Sequence, residues 1–434
     1  VTDANARGLL NAVANAYQTK LIEDLTDGGM SANDVNALLG TREFAALLSL
    51  KFNGLSPAVR DSNGNYLRNR KMLDAILQGN RAEAWFQIRY NSNGNDLAGL
   101  AKRRFFEADT FGLYSAGASR STISDAEAKD VFRMYTAHRD VITAYEIKYA
   151  AQISKANLDY QLIADPVGTW AQDSQIAREY MIDHYAQFAG APNIDGEVLV
   201  GSNIGNVDSV PGNDLLLGEA RYNNLHGQGG NDILRGNIVG DDLFGDAGDD
   251  VLFGDGGDDT LQGGDDNDLL EGGQGKDRLV GGAGTDTLRG GTEADTLIGG
   301  TGENDLLEGG VGFDTYLYTT GDGHDRIEDS DANGVIIVNG KPLVGGVKKA
   351  GHTDWTSPDG TLKYIMSGTD LVVQLSGTTI LTVNENFQSG QFGIDLIDAP
   401  TISTSLPSTT RTIVGDFDPL DTDPNEPGVQ IDYD

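Results

Sequence analysis

A nine-residue pattern that recurs from Pro211 to Leu317 constrains the fold of this chain more than any other feature. The pattern reads G-G-x-G-x-D-x-U-x, with U apolar, and its sixth positions are nine residues apart except for one step of ten, where Glu303 adds a residue. The sixth positions are Asp214, Asn223, Asp232, Asp241, Asp250, Asp259, Asp268, Asp277, Asp286, Asp295, Asp305 and Asp314. Two places after each stands an apolar residue, in order Leu216, Leu225, Leu234, Leu243, Leu252, Leu261, Leu270, Leu279, Leu288, Leu297, Leu307 and Tyr316. Chance composition does not hold such a register over twelve repeats.

Each repeat divides into a loop and a strand. Glycine reaches positive φ angles that other residues avoid, so the first six residues can form a tight turn. The last three residues form a short strand whose single apolar side chain points inward. One repeat cannot bury its leucine alone, so neighbouring repeats must stack. The loop carbonyls and aspartates then face the same groups one coil away, and six or so oxygen ligands at about 2.3–2.6 Å suit Ca²⁺.

These residues resemble the RTX family of calcium-binding nonapeptide repeats, over about a quarter of the chain. The resemblance implies a parallel β-roll with two repeats per coil and Ca²⁺ between loops on the same side. About six coils would span roughly 30 Å. Turns on one side recur every second repeat, which gives one ladder of Asp241, Asp259, Asp277, Asp295 and Asp314 and another of Asp232, Asp250, Asp268, Asp286 and Asp305. The candidate calcium ligands are these aspartates and the loop glycines Gly248, Gly257, Gly264, Gly273, Gly275, Gly282, Gly284, Gly291, Gly300, Gly302 and Gly312.

The fourth position of each loop ranks the candidate sites. A side chain there would strain the turn, and Val239, Asp266 and Glu293 replace glycine at this position. Gly257 and Gly275 keep it. We therefore expect the soundest calcium site between the loops Gly254–Asp259 and Gly272–Asp277, with Asp214 at the end of a ladder.

The alternative to a calcium-binding β-roll is a disordered linker rich in Gly and Asp, and the charge of the segment bears on this choice. Pro211–Thr320 contains 23 acidic and 5 basic residues, a net charge of −18 out of −35 for the whole chain. The strict leucine register argues against disorder when calcium is present, whereas self-repulsion favours disorder without it. Because phosphate contacts need Lys and Arg, nucleic-acid binding is not expected.

The sequence also lacks several features that would indicate other kinds of protein. The chain has no cysteine, which excludes disulfides and thiolate metal sites. No apolar run approaches the ~18 residues of a membrane helix, and the N-terminus lacks a signal peptide pattern. Both ends suggest a piece of a longer protein, since the chain starts at Val1 and ends without the apolar tail expected of a type I secretion signal.

Residues 1–114 read as a helical unit. Thr2 or Asp3 can cap a first helix, and Gly28-Gly29 ends it. Further helical segments are Phe44–Phe52, ending at Asn53-Gly54, then Met72–Leu77, Ala82–Tyr90 and Leu100–Leu113.

The same segments resemble, in order, the C-terminal lobe of phage-type lysozymes (glycoside hydrolase family 24). The matching stretches are Val1–Ala6 with Leu9-Leu10, Phe44–Gly54, Met72–Ile76 with Gly79-Asn80, and Gly99–Ala108. Catalysis in that family depends on a Glu followed nine residues later by Asp or Cys, in the other lobe, and no Glu in this chain has that spacing. No catalytic residue is therefore assigned. Arg103, Arg104 and Glu107 are interpreted as ion pairs on a helix surface.

Residues 115–192 are predicted to be a helical linker or docking segment. Ser115–Ser121 is rich in small residues, and Ser124 with Glu127 forms a capping box that opens a long helix. A second helix is predicted at Ala171–Phe188. His138 and His184 lie on these helices, where single histidines are usually structural. The aromatic residues Trp170, Tyr180, Tyr185 and Phe188 are interpreted as core or as a surface docked against the roll.

Residues 193–318 form the predicted β-roll, and residues 319–398 a β-rich cap. Strands are predicted at Val335–Val338, Leu362–Met366, Leu371–Leu375 and Thr379–Val383. Asn386–Ile394 resembles a feature found after RTX repeats, where strands cover the open end of the roll. Residues 399–434 are predicted to be an acidic linker rich in Pro and Thr.

The sequence thus predicts a multidomain α + β chain. The favoured function is a secreted, extracellular module that binds several calcium ions and folds on them, attached to part of a muramidase-like domain. Its partners would be calcium, the type I secretion machinery and, in one reading, cell-wall polysaccharide. The alternatives are a peptidoglycan hydrolase whose catalytic lobe lies upstream of Val1, and an adhesive spacer on a bacterial surface.

Overall fold

The computed structural model describes residues 3–52, 59–60, 66–68, 70–91, 104, 108, 111–159, 169–201, 206–219, 221–302, 304–349, 351–383 and 386–398. The predicted helix end at Asn53-Gly54, most of the predicted helix Leu100–Leu113 and the predicted linker Ala399–Asp434 lie outside these residues. Among the described residues, no helix combines the length and hydropathy of a membrane span.

The N-terminal part of the chain is helical, as predicted. Its helices are α1 (Asp3–Asp27), α2 (Ala32–Leu38), α3 (Arg42–Phe52), α4 (Arg70–Leu77), α5 (Arg81–Phe86), α6 (Asp125–Asp159), α7 (Trp170–Asp173) and α8 (Gln175–Tyr185), with a π-helical turn at Gln87–Asn91. Strands β1 (Val59–Arg60) and β2 (Tyr66–Arg68) form a short antiparallel pair. Ser31 and Asn80 each accept a backbone N–H group in the first turn of α2 and α5, which satisfies a donor that the helix itself leaves unpaired.

A hydrophobic core joins these helices. Leu25 of α1, Leu47 of α3 and Trp85 of α5 are at most 1% exposed. Arg89 is also buried; its guanidinium lies 4.7 Å from the centre of the Trp85 ring, and its Nη1 donates to Asp173 Oδ2 at 2.5 Å. A buried ion pair of this kind fixes the position of the turn between α7 and α8.

Two predictions for the helical part are corrected. Arg104 is fully buried and is therefore not part of a surface ion pair. The capping box at Ser124 forms only one arm: Glu127 N donates to Ser124 Oγ at 3.2 Å, while the Glu127 carboxylate accepts from Ser115 N at 2.6 Å. Of the segments that resemble lysozymes, Gly99–Ala108 lies almost wholly outside the described residues.

The repeats form a parallel β-solenoid of about seven turns over residues 198–338. Successive strands alternate between two parallel sheets. The first sheet contains β3 (Val198–Val200), β5 (Leu215–Leu217), β7 (Ile233–Asn237), β9 (Val251–Gly256), β11 (Leu269–Gln274), β13 (Thr287–Thr292), β15 (Leu306–Val311) and β17 (Asp325–Glu328). The second sheet contains β4 (Asn206–Asp208), β6 (Asn224–His226), β8 (Asp242–Ala247), β10 (Thr260–Asp265), β12 (Arg278–Gly284), β14 (Thr296–Gly302), β16 (Asp314–Tyr318) and β18 (Gly334–Val338). The coils therefore continue beyond residue 318, the predicted end of the roll.

The register of the sheets places every inward leucine above its equivalent one coil away. Leu270 pairs with Leu252 on one side and with Leu288 on the other. All leucines at the eighth position of the repeat are at most 1% exposed. Burial of each such side chain stabilises the roll by about 2 kcal/mol. These leucines form one row on each sheet, and the two rows together are the core of the roll, as the repeat predicts.

The strands that follow the roll are called the cap below. It consists of β19 (Lys341–Pro342), β20 (Gly345–Lys348), β21 (Asp354–Thr356), β22 (Leu362–Ser367), β23 (Asp370–Leu375), β24 (Thr378–Val383), a 3-10 turn at Gln391–Gly393 and β25 (Asp395–Asp398). Strand β24 pairs in parallel with β17 and so covers the free edge of the first sheet. Phe392 packs edge-on against Tyr316 at 5.9 Å between ring centres, which closes the end of the core.

The helical part docks on the N-terminal coils of the roll. Arg133 and Arg139 of α6 pair with Glu219 and Glu197 of the roll, the second pair at 2.7 Å between Nη1 and Oε2. Phe188 packs against Phe253 with ring centres 5.5 Å apart, as the docking prediction requires. His138 contacts Glu83 at 3.0 Å and stacks on Phe86 at 3.8 Å, which is a structural role.

Candidate functional site

The loops between the sheets form two edges of the roll, and both edges have the same backbone geometry. In most loops the second and fourth residues have positive φ angles, for example 110° at Gly273 and 129° at Gly275. The fourth position is occupied by other residues at Asp266 and Glu293, with φ of 75° and 84°. The second position is likewise occupied by Gln228, Asp246 and Asp255, with φ of 71°, 75° and 70°, so at these two positions five loops place a residue other than glycine in this strained region.

The aspartates at the sixth position form two continuous ladders. In one ladder, the backbone N–H of Asp259 donates to Asp277 Oδ1 at 2.9 Å, and that of Asp277 donates to Asp295 Oδ1 at 2.8 Å. The same bond, between 2.6 and 2.9 Å, links Asn223, Asp241, Asp259, Asp277, Asp295 and Asp314 on one edge and Asp214, Asp232, Asp250, Asp268, Asp286 and Asp305 on the other. One carboxylate oxygen of each aspartate thus joins two coils.

The second carboxylate oxygen has no such bond. Among the described residues, the Oδ2 atoms of ten ladder aspartates are buried and have no hydrogen-bond partner; they belong to Asp214, Asp232, Asp250, Asp259, Asp268, Asp277, Asp286, Asp295, Asp305 and Asp314. Their side chains are at most 3% exposed. Leaving so many buried acceptors unpaired is costly unless another group binds them.

A backbone carbonyl oxygen of the next coil lies close to several of these atoms. A Cβ atom placed on Gly254 would lie 2.4 Å from Asp259 Oδ2 and 2.5 Å from the carbonyl oxygen of Gly272 in the next coil. On the other edge, a Cβ on Gly245 would lie 2.3 Å from Asp250 Oδ2 and 2.6 Å from Gly263 O. Carboxylate and carbonyl oxygens of adjacent coils therefore converge beside the first glycine of each loop.

This donor set fits a hard cation such as Ca²⁺, which binds six to eight oxygen ligands. The chain has no cysteine, and the ladder positions contain no histidine, so a soft metal is not favoured. Within the part of the chain that the structure describes, no cluster of three or more His, Cys, Asp or Glu side chains is arranged to hold a metal ion. Backbone carbonyls would therefore supply most of the ligands.

The comparison with protein families agrees with this geometry. Residues 209–243, 236–270, 244–279, 271–304 and 280–316 match the family model of the RTX calcium-binding nonapeptide repeat (4 copies). The matched residues 209–316 are called the RTX repeats below. The comparison with curated proteins finds no match for the chain.

Burial changes the acidity of the RTX aspartates. It raises the pKa of Asp232, Asp259 and Asp268 to about 8 because the charged form is poorly solvated, and nearby aspartates add to the effect. The pKa values of Asp250, Asp286 and Asp295 rise to about 7, and those of Asp277 and Asp314 to about 6, for the same first reason. A cation and a proton would therefore compete for the same carboxylate groups of the ladder aspartates.

We expect the calcium-free RTX roll to be more stable at about pH 5 than at about pH 8. The folded-state pKa values lie above the ordinary value of 3.8, so the stability that these groups contribute is complete below that value and is lost as the pH rises through about 6 to 8. The β signal in far-UV circular dichroism, followed in calcium-free buffer from about pH 5 to about pH 8, measures this dependence. A β signal that rises across the same interval would contradict it.

One ladder position differs from the others. Both Oδ atoms of Asp241 are hydrogen-bonded: Oδ2 accepts Asn237 Nδ2 at 2.7 Å and Asn237 N at 3.0 Å, and Oδ1 accepts Asn223 Nδ2 at 3.0 Å. At Asp241, amide groups therefore bond to Oδ2, the atom that has no hydrogen-bond partner in the ten ladder aspartates named above. The loop Gly236–Asp241, in which Val239 occupies the fourth position, is thus the least suited to a cation.

The structure places all the sequence-predicted aspartates in the two ladders. Of the predicted glycines, four lie between strands, namely Gly248, Gly257, Gly275 and Gly312, and the others lie at the C-terminal ends of strands, namely Gly264, Gly273, Gly282, Gly284, Gly291, Gly300 and Gly302. Sequence reasoning missed two features. The first is the glycine at the first position, such as Gly254 and Gly272, whose carbonyl lies beside the unpaired carboxylate; its recurrence was the available signal. The second is Asp325, in a coil beyond the matched repeats, which the spacing Gly321-x-Gly323-x-Asp325 could have indicated.

Proposed function

We propose that the RTX roll binds several Ca²⁺ ions along its two edges and that these ions hold the roll in its folded state. The row of buried Oδ2 atoms without partners carries this proposal. A buried carboxylate without a counter-charge destabilises a fold by several kcal/mol, and a bound divalent cation removes that penalty. The repeat match to a calcium-binding family supports the choice of metal.

The ligands would be the ladder aspartates together with carbonyl oxygens of the loop glycines. The best site would lie between the loops Gly254–Asp259 and Gly272–Asp277, because Gly257 and Gly275 keep glycine at the fourth position of both loops, where φ is 106° and 129°. Asp277 would serve this site and also bond to the next coil through the N–H group that it donates to Asp295.

The test compares two aspartates of the ladders. Asp277→Ala removes a carboxylate from the middle of a ladder, whereas Asp214 is an end member because Gly196 stands 18 residues before it. The Arg178 guanidinium also favours the charged form of Asp214, so this carboxylate is partly balanced by the protein itself. We expect Asp277→Ala to raise the calcium midpoint of folding roughly tenfold, and Asp214→Ala to raise it clearly less. Calcium titration followed by circular dichroism measures both; equal shifts would show that the ladder assignment is wrong.

We further propose that the chain is exported, by a type I system, and folds outside the cell. The cytosol holds too little Ca²⁺ to occupy the ladders, and the acidic loops would then repel one another and keep the chain extended. Metal that binds only the folded state stabilises it by mass action once the chain meets extracellular calcium.

For the helical part we propose a muramidase-related unit with cell-wall polysaccharide as its partner. The resemblance of its segments to the C-terminal lobe of phage-type lysozymes supports this proposal. No catalytic residue is assigned, because no Glu in the chain has the Asp or Cys nine residues later that the family uses.

A further inference from the structure

The roll continues for one coil beyond the RTX repeats on the edge that contains Asp305. Residues Thr320–Asp325 form a loop in which Gly321 and Gly323 have φ angles of 116° and 97°, at the two loop positions that are positive in the repeats. Strand β17 follows, with Leu307 paired to Ile327. Arg326 N donates to Asp305 O at 2.7 Å, as Leu306 N donates to Asp286 O at 2.8 Å one coil earlier.

Asp325 occupies the sixth position of this coil. It is 2% exposed, and its Oδ1 atom is buried without a hydrogen-bond partner. Asp305 below it is fully buried, and its Oδ2 atom is also without a partner. The Asp305 N–H and the Asp305 carboxyl both interact with the Asp325 carboxyl, so two buried acidic groups are in contact. Such a pair needs either a shared proton or a cation.

The charged side chains around the pair bind elsewhere or add negative charge. Arg326 pairs with Glu328 and lies 3.5 Å from Asp370, and His324 Nε2 lies 2.9 Å from Thr382 Oγ1. Asp322 brings a third carboxylate to the same loop. The protein groups described around the pair thus supply no direct counter-charge to it.

The loop of this coil differs from the repeats at its first position. In the coil before it, a Cβ on the first-position residue Gly299 would lie 2.5 Å from Asp305 Oδ2. Thr320 stands at that position here. In both coils, one carboxylate oxygen of the sixth-position aspartate is buried without a hydrogen-bond partner.

We propose that Asp305 and Asp325 hold a calcium ion between the last two coils of this edge, outside the matched repeats. The loop supplies further oxygen ligands, among them the carbonyl of Gly323, which already accepts the Tyr318 hydroxyl at 2.9 Å. This site joins the roll to the cap, because β17 pairs with β24 through Asp325 and Leu381. The inference rests on the proposed function for the nature of the metal.

Native mass spectrometry of the full chain at saturating calcium tests the site by counting bound ions. We expect Asp325→Asn to bind one ion fewer than the unmodified chain. Asp398→Asn, which removes an exposed carboxylate of the cap that pairs with Lys348 at 2.8 Å, should bind the full number. An unchanged count in Asp325→Asn would overturn the site and show a proton-sharing pair. An unmodified chain that binds no calcium would instead reject the proposed function.

A second measurement needs no substitution. In the unmodified chain, amide hydrogen exchange at Arg326, whose N–H bonds to Asp305 O, should slow on calcium addition as it does at Thr287, whose N–H bonds to Asp268 O at 2.8 Å within the repeats. Slowing at Thr287 without slowing at Arg326 would overturn the site while leaving calcium binding by the repeats intact.

Discussion

Removal of calcium should abolish most of the β structure of residues 198–338. The stretch Pro211–Thr320 has a net charge of −18, and its ladder aspartates are buried with one oxygen unpaired. Without calcium, the buried leucines alone have to offset the charge repulsion and the burial of these carboxylates. Far-UV circular dichroism of the full chain should show strong β signal in millimolar calcium and its loss in excess chelator at neutral pH. Spectra that are unchanged by the chelator would reject calcium as the cause of folding.

Magnesium provides the matched control for this experiment. Mg²⁺ carries the same charge but requires near-octahedral geometry and sheds its water reluctantly. The sites between coils offer carbonyl and carboxylate oxygens, a donor set that suits the larger ion. We expect Mg²⁺ at the same concentration to restore little of the β signal. Full restoration would mean that the ions act by screening charge and not by binding to defined sites.

Replacement of Gly275 by alanine should destabilise the roll by about 3 kcal/mol. Two effects combine: φ is 129° at this position, and the added Cβ would lie 2.0 Å from the carbonyl oxygen of Gly257 in the coil below. The coils would have to separate at the candidate site that is otherwise best formed. Chemical unfolding at saturating calcium, compared with the unmodified chain, gives the change in unfolding free energy.

Gly256→Ala is the control for that substitution. Gly256 lies in the adjacent loop of the same edge, but its added Cβ would meet no atom closer than 3.8 Å, the carbonyl oxygen of Gln274. We expect a change within about 0.5 kcal/mol. If both variants lost stability equally, the effect at Gly275 could not be ascribed to the close approach of the coils.

The regular part of the roll was predictable because two independent signals, leucine and aspartate, share one period. Stacking of Leu252 on Leu270 and bonding of Asp259 to Asp277 both follow from that period. The end coils were not predictable in the same way. No glycine-rich loop of the repeat pattern precedes Val198–Val200. Asp325 comes twenty residues after Asp305, and its loop begins with Thr320 and not with glycine. The sequence pattern is therefore lost at both ends of the roll, where neighbouring elements pack against the coils.

The amide groups at Asp241 show a second limit of sequence reasoning. Val239 in its loop indicates a poor site, but the sequence does not reveal that Asn237 and Asn223 bond to the carboxylate. The Asn223 contact joins positions 18 residues apart that only the stacked coils bring together, whereas Asn237 lies four residues before Asp241 in the same loop.

The helical part was predictable at the level of helices and not beyond it. Apolar spacing and capping residues locate α3 and α6, since these are local effects. The docking of α6 on the roll depends on pairs such as Arg133 with Glu219, which are 86 residues apart and carry no periodic signal. Motifs at helical spacing are shared by many bundles, which is why the lysozyme resemblance remains a proposal.

The bond from each aspartate to the coil before it makes the roll a chain of coupled neighbours. A metal held by Asp277 would fix the carboxylate that also accepts the N–H of Asp259, and so would fix the loop of the preceding site. Occupancy at one step therefore favours occupancy at the next, as in one-dimensional zipper models of repeat proteins. A protein built in this way would respond to calcium over a narrow concentration range, with long ladders giving a steeper response than short ones.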